Sequence, residues 1–216
     1  MTPLYERIRP TSLDGVIGQP KAVETARRLA AAGLGGQTVW ISGPSGTGKT
    51  TLARILAASI ADPFYVTEFV ARQLTPSMLR DMADTMRLYA LGKGGRVWII
   101  NEAHGLSRAA IETLLDMTES LSSHVAVIFT TTWDGQDALF EDQIDAGPLL
   151  SRCRKIRLTN QGLAKAFAPV LREIAQREGL DGQPEAAYVR LMQEHRNNVR
   201  SALQAIADGE MIGGGA

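Results

Sequence analysis

The sequence predicts an α/β protein built on a doubly wound parallel sheet, followed by a small helical domain. Three observations carry this expectation. Short apolar runs alternate with amphipathic helical stretches as far as residue 158. A glycine-rich loop, Gly43-Pro44-Ser45-Gly46-Thr47-Gly48-Lys49-Thr50, joins one of these runs to a helical stretch. From Thr159 onward the strand signal stops and only helical periodicity remains.

Residues 1–20 mix proline, glycine and charge, and read as an ordered arm rather than a helix. Lys21 to Ala32 carries apolar residues at helical spacing and is stopped by Gly33. Thr38-Val39-Trp40-Ile41 is a short strand of buried type, and the helix after the glycine loop runs from Thr50 to Ala61. A strand is expected at Phe64 to Phe69, and Thr75-Pro76 caps a helix reaching to about Tyr89. Val97-Trp98-Ile99-Ile100 has no polar interruption, as a strand covered on both faces should read. Ser107 to Leu121 is helical and Val125 to Phe129 is a strand. A loop rich in Asp and Gly follows, then Leu149-Leu150, then a strand at Lys155 to Leu158. Ala164–Glu178, Pro184–Glu194 and Val199–Ala207 read as three helices, with a flexible glycine tail after them. The expected domains are 1–158, with its arm at 1–20, a helical domain at 159–211, and a tail at 212–216.

Composition limits the function classes. The 216 residues are 44% hydrophobic and 21% charged, an ordinary globular balance. Lys+Arg and Asp+Glu stand at 23 each, so no global field draws the chain to nucleic acid or membrane. A contact with nucleic acid must come from locally placed arginines. The single cysteine, Cys153, excludes an internal disulfide and reads as buried packing. No apolar run reaches the length of a membrane span, and the first residues show no signal-peptide pattern. A soluble, cytoplasmic setting without membrane contact is the expectation.

Residues 43–50 fit G-x-x-x-x-G-K-[ST] between a strand and a helix, the context that this phosphate-binding motif requires. Gly46 and Gly48 let the backbone turn its N–H groups onto phosphate oxygens, and the following helix directs its positive end there. Lys49 supplies a cation to the β- and γ-phosphates of ATP, and the Thr50 hydroxyl ligates Mg²⁺, with Thr51 beside it. The second apolar strand ends in Asn101-Glu102-Ala103-His104. Glu102 is placed to polarise the attacking water. Asn101 stands where an aspartate usually holds metal-bound water; an amide orients that water but adds no negative charge, so weak Mg²⁺ affinity is expected. His104 reads as structural.

Further residues give the chain a family resemblance. Leu4 to Gln19, containing Tyr5, Arg9-Pro10 and Asp14-Gly15-Val16-Ile17-Gly18-Gln19, is similar to the entry arm of sliding-clamp loaders and their AAA+ relatives. Asn101 to Arg108 resembles their D-E-A-H-x-L-S-R segment, Ser151-Arg152-Cys153 their S-R-C motif, and Asn198 to Leu203 their x-x-R-x-A-L lid helix. The matches run in family order over almost the whole chain, and S-R-C is the discriminating one.

The resemblance implies roles. Tyr5, Arg9, Pro10, Val16, Ile17 and Gly18 would wrap the adenine. Thr132, with Thr131 as the competing choice, would be a polar sensor beside the γ-phosphate. Arg152 would reach a neighbouring subunit's ATP as an arginine finger, with Arg154 next in line. Arg200 would approach the γ-phosphate within its own subunit. Arg108, preceded by Ser107, would contact DNA phosphate, with Arg72 and Arg80 as further candidates. The implied partners are other AAA+ subunits in a homo- or hetero-oligomeric ring, expected as a pentamer, together with a sliding clamp and primer–template DNA. Clamp loaders continue into a helical collar after the lid; no room for one follows Ala207, so assembly is expected to need a partner or DNA. Two other functions compete: a branch-migration or fork-maintenance ATPase of similar build, and an ATP-gated assembly module with little hydrolysis, for which Asn101 is the argument.

Overall fold

Burial follows the apolar runs closely. In the computed structural model, which describes residues 2–132 and 147–213, five strands form one parallel sheet. They are β1 (Gln37–Gly43), β2 (Val66–Val70), β3 (Arg96–Asn101), β4 (Val125–Thr132) and β5 (Arg154–Arg157). Their spatial order is β2-β3-β4-β1-β5, and every neighbouring pair is parallel. The three central strands are buried almost throughout, which is why they read as continuous hydrophobic runs. Edge strands β2 and β5 keep polar residues in view.

Helices cover both faces, as alternation predicts. Trp40, Trp98, Ile100, Val127 and Phe129 pack with α4 (Pro76–Thr85) and α5 (Arg108–Glu119) on one side. Val39, Ile41, Val97, Ile99 and Ile128 pack with α2 (Pro20–Ala32) and α3 (Lys49–Ala57) on the other. A third core joins α7 (Leu163–Glu178), α8 (Glu185–Glu194) and α9 (Val199–Ala207) around Tyr188, Leu171 and Ile206. A short α6 (Gly147–Ser151) precedes β5. The Asp- and Gly-rich loop at 133–146 and the end of the glycine tail, 214–216, lie outside the described residues. Among the described residues no helix is long and apolar enough to cross a membrane.

Several boundaries depart from the sequence expectation: Phe64 and Tyr65 belong to a 3₁₀ turn ahead of β2, and β4 runs on to Thr132. The arm contains a helical turn, α1 (Leu4–Arg7), because Leu4 is buried in the third core and anchors it. The helix after the glycine loop closes at Ala57, and residues 58–60 make turns instead. The helix from Pro76 stops at Thr85 rather than near Tyr89. There the chain turns through Gly92 and Gly94, both at positive φ, and the Arg96 guanidinium donates to the Leu88 carbonyl. Leu88, Tyr89 and Leu91 therefore continue no apolar face and are exposed.

Candidate nucleotide-binding site

The loop after β1 opens at the carboxyl ends of the strands, where parallel sheets place their ligand crevice. Gly43, Gly46 and Gly48 all hold positive φ, so the loop takes a path that side chains would resist. At Gly46 space is also forbidden: a Cβ there would lie 1.9 Å from Asn198 Oδ1. The Lys49 ammonium donates to the carbonyl oxygens of Gly43 and Pro44, each at 2.7 Å, and the Thr47 hydroxyl donates to Pro44 O at 2.8 Å. Gly43 and Pro44 thus hold the lysine rather than line the cleft.

The cleft has a volume of about 550 Å³ and three walls. The phosphate loop, from Ser45 to Thr51, forms its floor. The ends of β3 and β4 bring Asn101, Glu102, Thr130 and Thr132. The arm contributes Tyr5, Arg9, Pro10, Val16 and Ile17, facing Phe167, Val170 and Ile174 of α7 and Val199, Arg200 and Leu203 of α9. Two apolar surfaces that face each other beyond a phosphate-binding loop suit a planar base. Gly18 stands outside this lining; its positive φ brings the arm so close to α7 that a Cβ would meet Leu163 Cδ1 at 2.6 Å. Sequence reading missed Phe167, Val170 and Ile174, because an apolar stripe on a helix reads as core.

Asn101 is the hub of the polar end. Its Oδ1 accepts the Thr50 hydroxyl at 3.0 Å and the Thr130 hydroxyl at 2.8 Å. Strand alternation settles which threonines face the cleft. Thr130 and Thr132 line it, whereas the Thr131 hydroxyl lies 3.2 Å from His104 Nδ1 and is absent from the lining. Thr132 is therefore the better placed of the two named choices, and Thr130 is a polar group that sequence reading overlooked. His104 itself stands outside the cleft lining. Glu102 follows in the left-handed region, φ 56° and ψ 45°, exposed at the cleft. Such backbone strain costs about 1–3 kcal/mol and concentrates at functional sites.

The donors here are oxygens, which suits a hard cation such as Mg²⁺. Among the described residues no group of three His, Cys, Asp or Glu is placed to hold a metal. A cation at Thr50 and Asn101 would therefore share ligands with nucleotide phosphates and water.

The arm is tied to the floor. Arg9 donates from Nη1 to Thr51 Oγ1 at 2.9 Å and pairs with Glu6, a contact that holds the Glu6 carboxyl below its ordinary range. The guanidiniums of Arg54 and Arg200 add to that effect. Arg200 itself lies 5.3 Å above the Tyr5 ring, a cation–π contact between α9 and the arm.

A family model described as "ATPase family associated with various cellular activities (AAA)" matches residues 39–159, more than half of the chain. The chain belongs to the AAA ATPase family.

Several relatives resemble this AAA chain. The replication factor C large subunit of Methanothrix thermoacetophila is 28% identical over 195 residues, covering 86% of this chain and 39% of that one. The DNA polymerase III subunit gamma/tau of Mycobacterium tuberculosis is 31% identical over 156 residues, 60% of this chain and 27% of that one. The Holliday junction branch migration complex subunit RuvB of Streptomyces avermitilis is 32% identical over 124 residues, 56% and 33% respectively. The solved Thermotoga maritima RuvB, a Holliday junction branch migration motor, shares the fold with a TM-score of 0.68 and 24% identity, over 93% of this chain and 64% of that one. The chain spans only 27–39% of the three curated relatives.

The remaining predicted residues lie around the AAA core. Arg152 is outside its own cleft; its guanidinium pairs with Glu119 at 2.6 Å and donates to Pro148 O at 3.0 Å. Cys153 is buried, donates to Leu149 O, and burial pushes its thiol up to about 12. Arg108 begins α5 after the Ser107 cap, is exposed, and pairs with Glu112 at 3.2 Å. The Arg72 stem packs on Gly105, near the start of α5, while Arg80 is exposed on α4.

Proposed function

We propose that this chain binds ATP with Mg²⁺ and hydrolyses it as a subunit of a ring resembling a clamp loader, which opens a sliding clamp and places it on primer–template DNA. The observation that carries this reading is the division of its arginines. Arg200 lines the cleft, whereas Arg152, within Ser151-Arg152-Cys153, lies outside it. A guanidinium outside its own cleft, held by the exposed Glu119 carboxylate, would exchange that pair for a second subunit's nucleotide.

The chain's own residues would share the work. Lys49 and the loop N–H groups bind the triphosphate. Thr50 and Asn101 would hold the Mg²⁺, which would supply positive charge to the phosphate oxygens. Glu102 takes a proton from the attacking water, and Thr132 orients the γ-phosphate end. Arg72 and Arg108 would meet DNA phosphates from one end of the sheet. Residues 159–211 would act as a lid, carrying Arg200 toward the nucleotide.

The testing experiment measures ATP turnover and native mass with and without primed DNA and a sliding clamp. A multimer that forms on primed DNA with raised turnover is expected. Turnover raised by four-way junctions and not by primed ends would favour a branch-migration motor, the reading to which the RuvB likeness lends weight. ATP binding without turnover under any condition would favour a gated assembly module.

A further inference from the structure

Asn101 leaves the metal end of the cleft without a carboxylate on β3, and the neighbouring strand holds one. β2 and β3 pair with Glu68 opposite Ile99 and Val70 opposite Asn101. Residues 68 and 101 therefore project from the same face of the sheet, the one that α3 covers. Asn101 Nδ2 donates to Glu68 Oε2 at 3.4 Å, while Asn101 Oδ1 accepts from Thr50 and Thr130. These partners fix the amide: its oxygen meets two hydroxyl donors and its nitrogen meets a carboxylate.

Thr50 and Arg54 stand one turn apart on α3 and meet the pair in order. Thr50 bonds to Asn101, and Arg54 Nη2 bonds to Glu68 Oε2 at 3.1 Å. Glu68 is an exposed residue whose side chain keeps 28% of its surface, and the Arg54 guanidinium holds its carboxylate from Nε as well as Nη2. An aspartate at position 101 would set a carboxylate oxygen against Glu68 where an N–H now donates. Like charges at that separation repel, and the donor that links the strands would be lost.

We propose that Glu68 and Asn101 form a transposed pair, in which Glu68 on β2 carries the negative charge and orients the Asn101 amide, so that Asn101 Oδ1 accepts the Thr50 hydrogen and leaves a lone pair of Thr50 Oγ1 turned to the Mg²⁺ of a bound nucleotide. Glu68 acts through Asn101 and is a positioning residue. This inference rests on the nucleotide-binding reading of the cleft.

The test titrates Mg²⁺ against binding of a fluorescent ATP analogue by the full chain, with thermal melting alongside. Glu68→Gln is expected to raise the half-saturating Mg²⁺ about tenfold, the scale on which outer partners tune a metal site, while binding in EDTA stays unchanged. Asn101→Asp alone is expected to lower the melting temperature by about 2–4 °C, a shift typical of one lost favourable contact in a chain of this size. The double variant Glu68→Gln/Asn101→Asp restores one carboxylate and one amide with their strands exchanged. It is expected to return both readouts close to those of the unsubstituted chain. Arg54→Gln, which removes the cation from Glu68 but leaves the carboxylate, should lower the half-saturating Mg²⁺.

An unchanged Mg²⁺ requirement in Glu68→Gln overturns the proposal, as does a double variant no better than the sum of its single changes. A rise in Arg54→Gln equal to that in Glu68→Gln also overturns it, by assigning the effect to the Arg54–Glu68 contact. If Glu68→Gln does not fold, the double variant decides alone: a melting temperature back near that of the unsubstituted chain supports the pair, and one as low as that of Asn101→Asp sinks it. No analogue binding by the unsubstituted chain, with or without Mg²⁺, overturns the nucleotide reading itself, and this proposal with it.

Discussion

At the residue scale, the roles proposed for Glu102 and Lys49 can be separated through their surroundings. Glu102 occupies the left-handed region at the end of β3 and lines the cleft. Glu102→Gln is expected to keep ATP affinity while turnover falls about 10²–10⁴-fold, the usual contribution of a general base. Parallel loss of binding and turnover would make Glu102 structural instead. Lys49 is held by two carbonyls of its own loop, so its removal leaves the packing around the loop largely in place. Lys49→Ala should therefore melt near the parental temperature yet bind no ATP in a fluorescence titration. Parental turnover would show that the phosphate site is misassigned. Cys153 is the opposite case. Burial raises its thiol to about 12, so at pH 8 it stays protonated and unreactive. Iodoacetamide should label it slowly in the native chain and fast in urea, read by intact mass; fast native labelling would contradict its burial.

Elements couple where α9 meets the phosphate loop. Asn198 caps α9 by accepting from Ser201 N at 3.2 Å, and the same side chain lies against Gly46. Val199 N also donates to Gly46 O at 3.3 Å. The loop and the helix bearing Arg200 therefore share a boundary with no room for one more carbon. Gly46→Ala would add the cost of a left-handed alanine, about 1–2 kcal/mol, to displacement of Asn198. The expected result is a melting temperature lower by about 2–8 °C, together with a loss of ATP affinity well beyond that of a surface change. Unaltered affinity in a calorimetric titration would show that α9 does not sense the loop.

The whole molecule enters through Arg152. Its guanidinium is held by Glu119 and Pro148 at the far end of α5, away from its own cleft. Arg152→Ala should bind ATP normally as an isolated chain and lose about 10³-fold or more of assembled turnover, the scale of a missing arginine finger. Mixing Arg152→Ala with Lys49→Ala should recover part of the activity, because a sound loop can sit beside a sound finger. If mixing restores nothing while activity rises more steeply than protein concentration, Arg154 becomes the next candidate. Strictly linear activity would count against the oligomer.

The sheet, its helical cover and the phosphate loop were legible in the amino-acid order alone. Periodicity and a contiguous motif are local properties, and Val97 to Ile100 or Gly43 to Thr50 need no distant partner to be read. It also placed Thr50, Asn101 and Glu102 together in expectation, through the spacing of strand and acid. The rest depended on packing between distant segments. Thr130 was legible as strand chemistry but not as a cleft residue, because its face depends on register with β1. Phe167, Val170 and Ile174 carry the same apolar stripe whether they face a core or a cleft, and docking against the arm is what chooses. Leu88 and Tyr89 continued a helical pattern that Gly92, Gly94 and the distant Arg96 override. Glu68 reads as an ordinary strand charge until β2 lies beside β3 and α3 brings Arg54 across it. A linear pattern records which residues can share a face, whereas long-range packing fixes what that face meets.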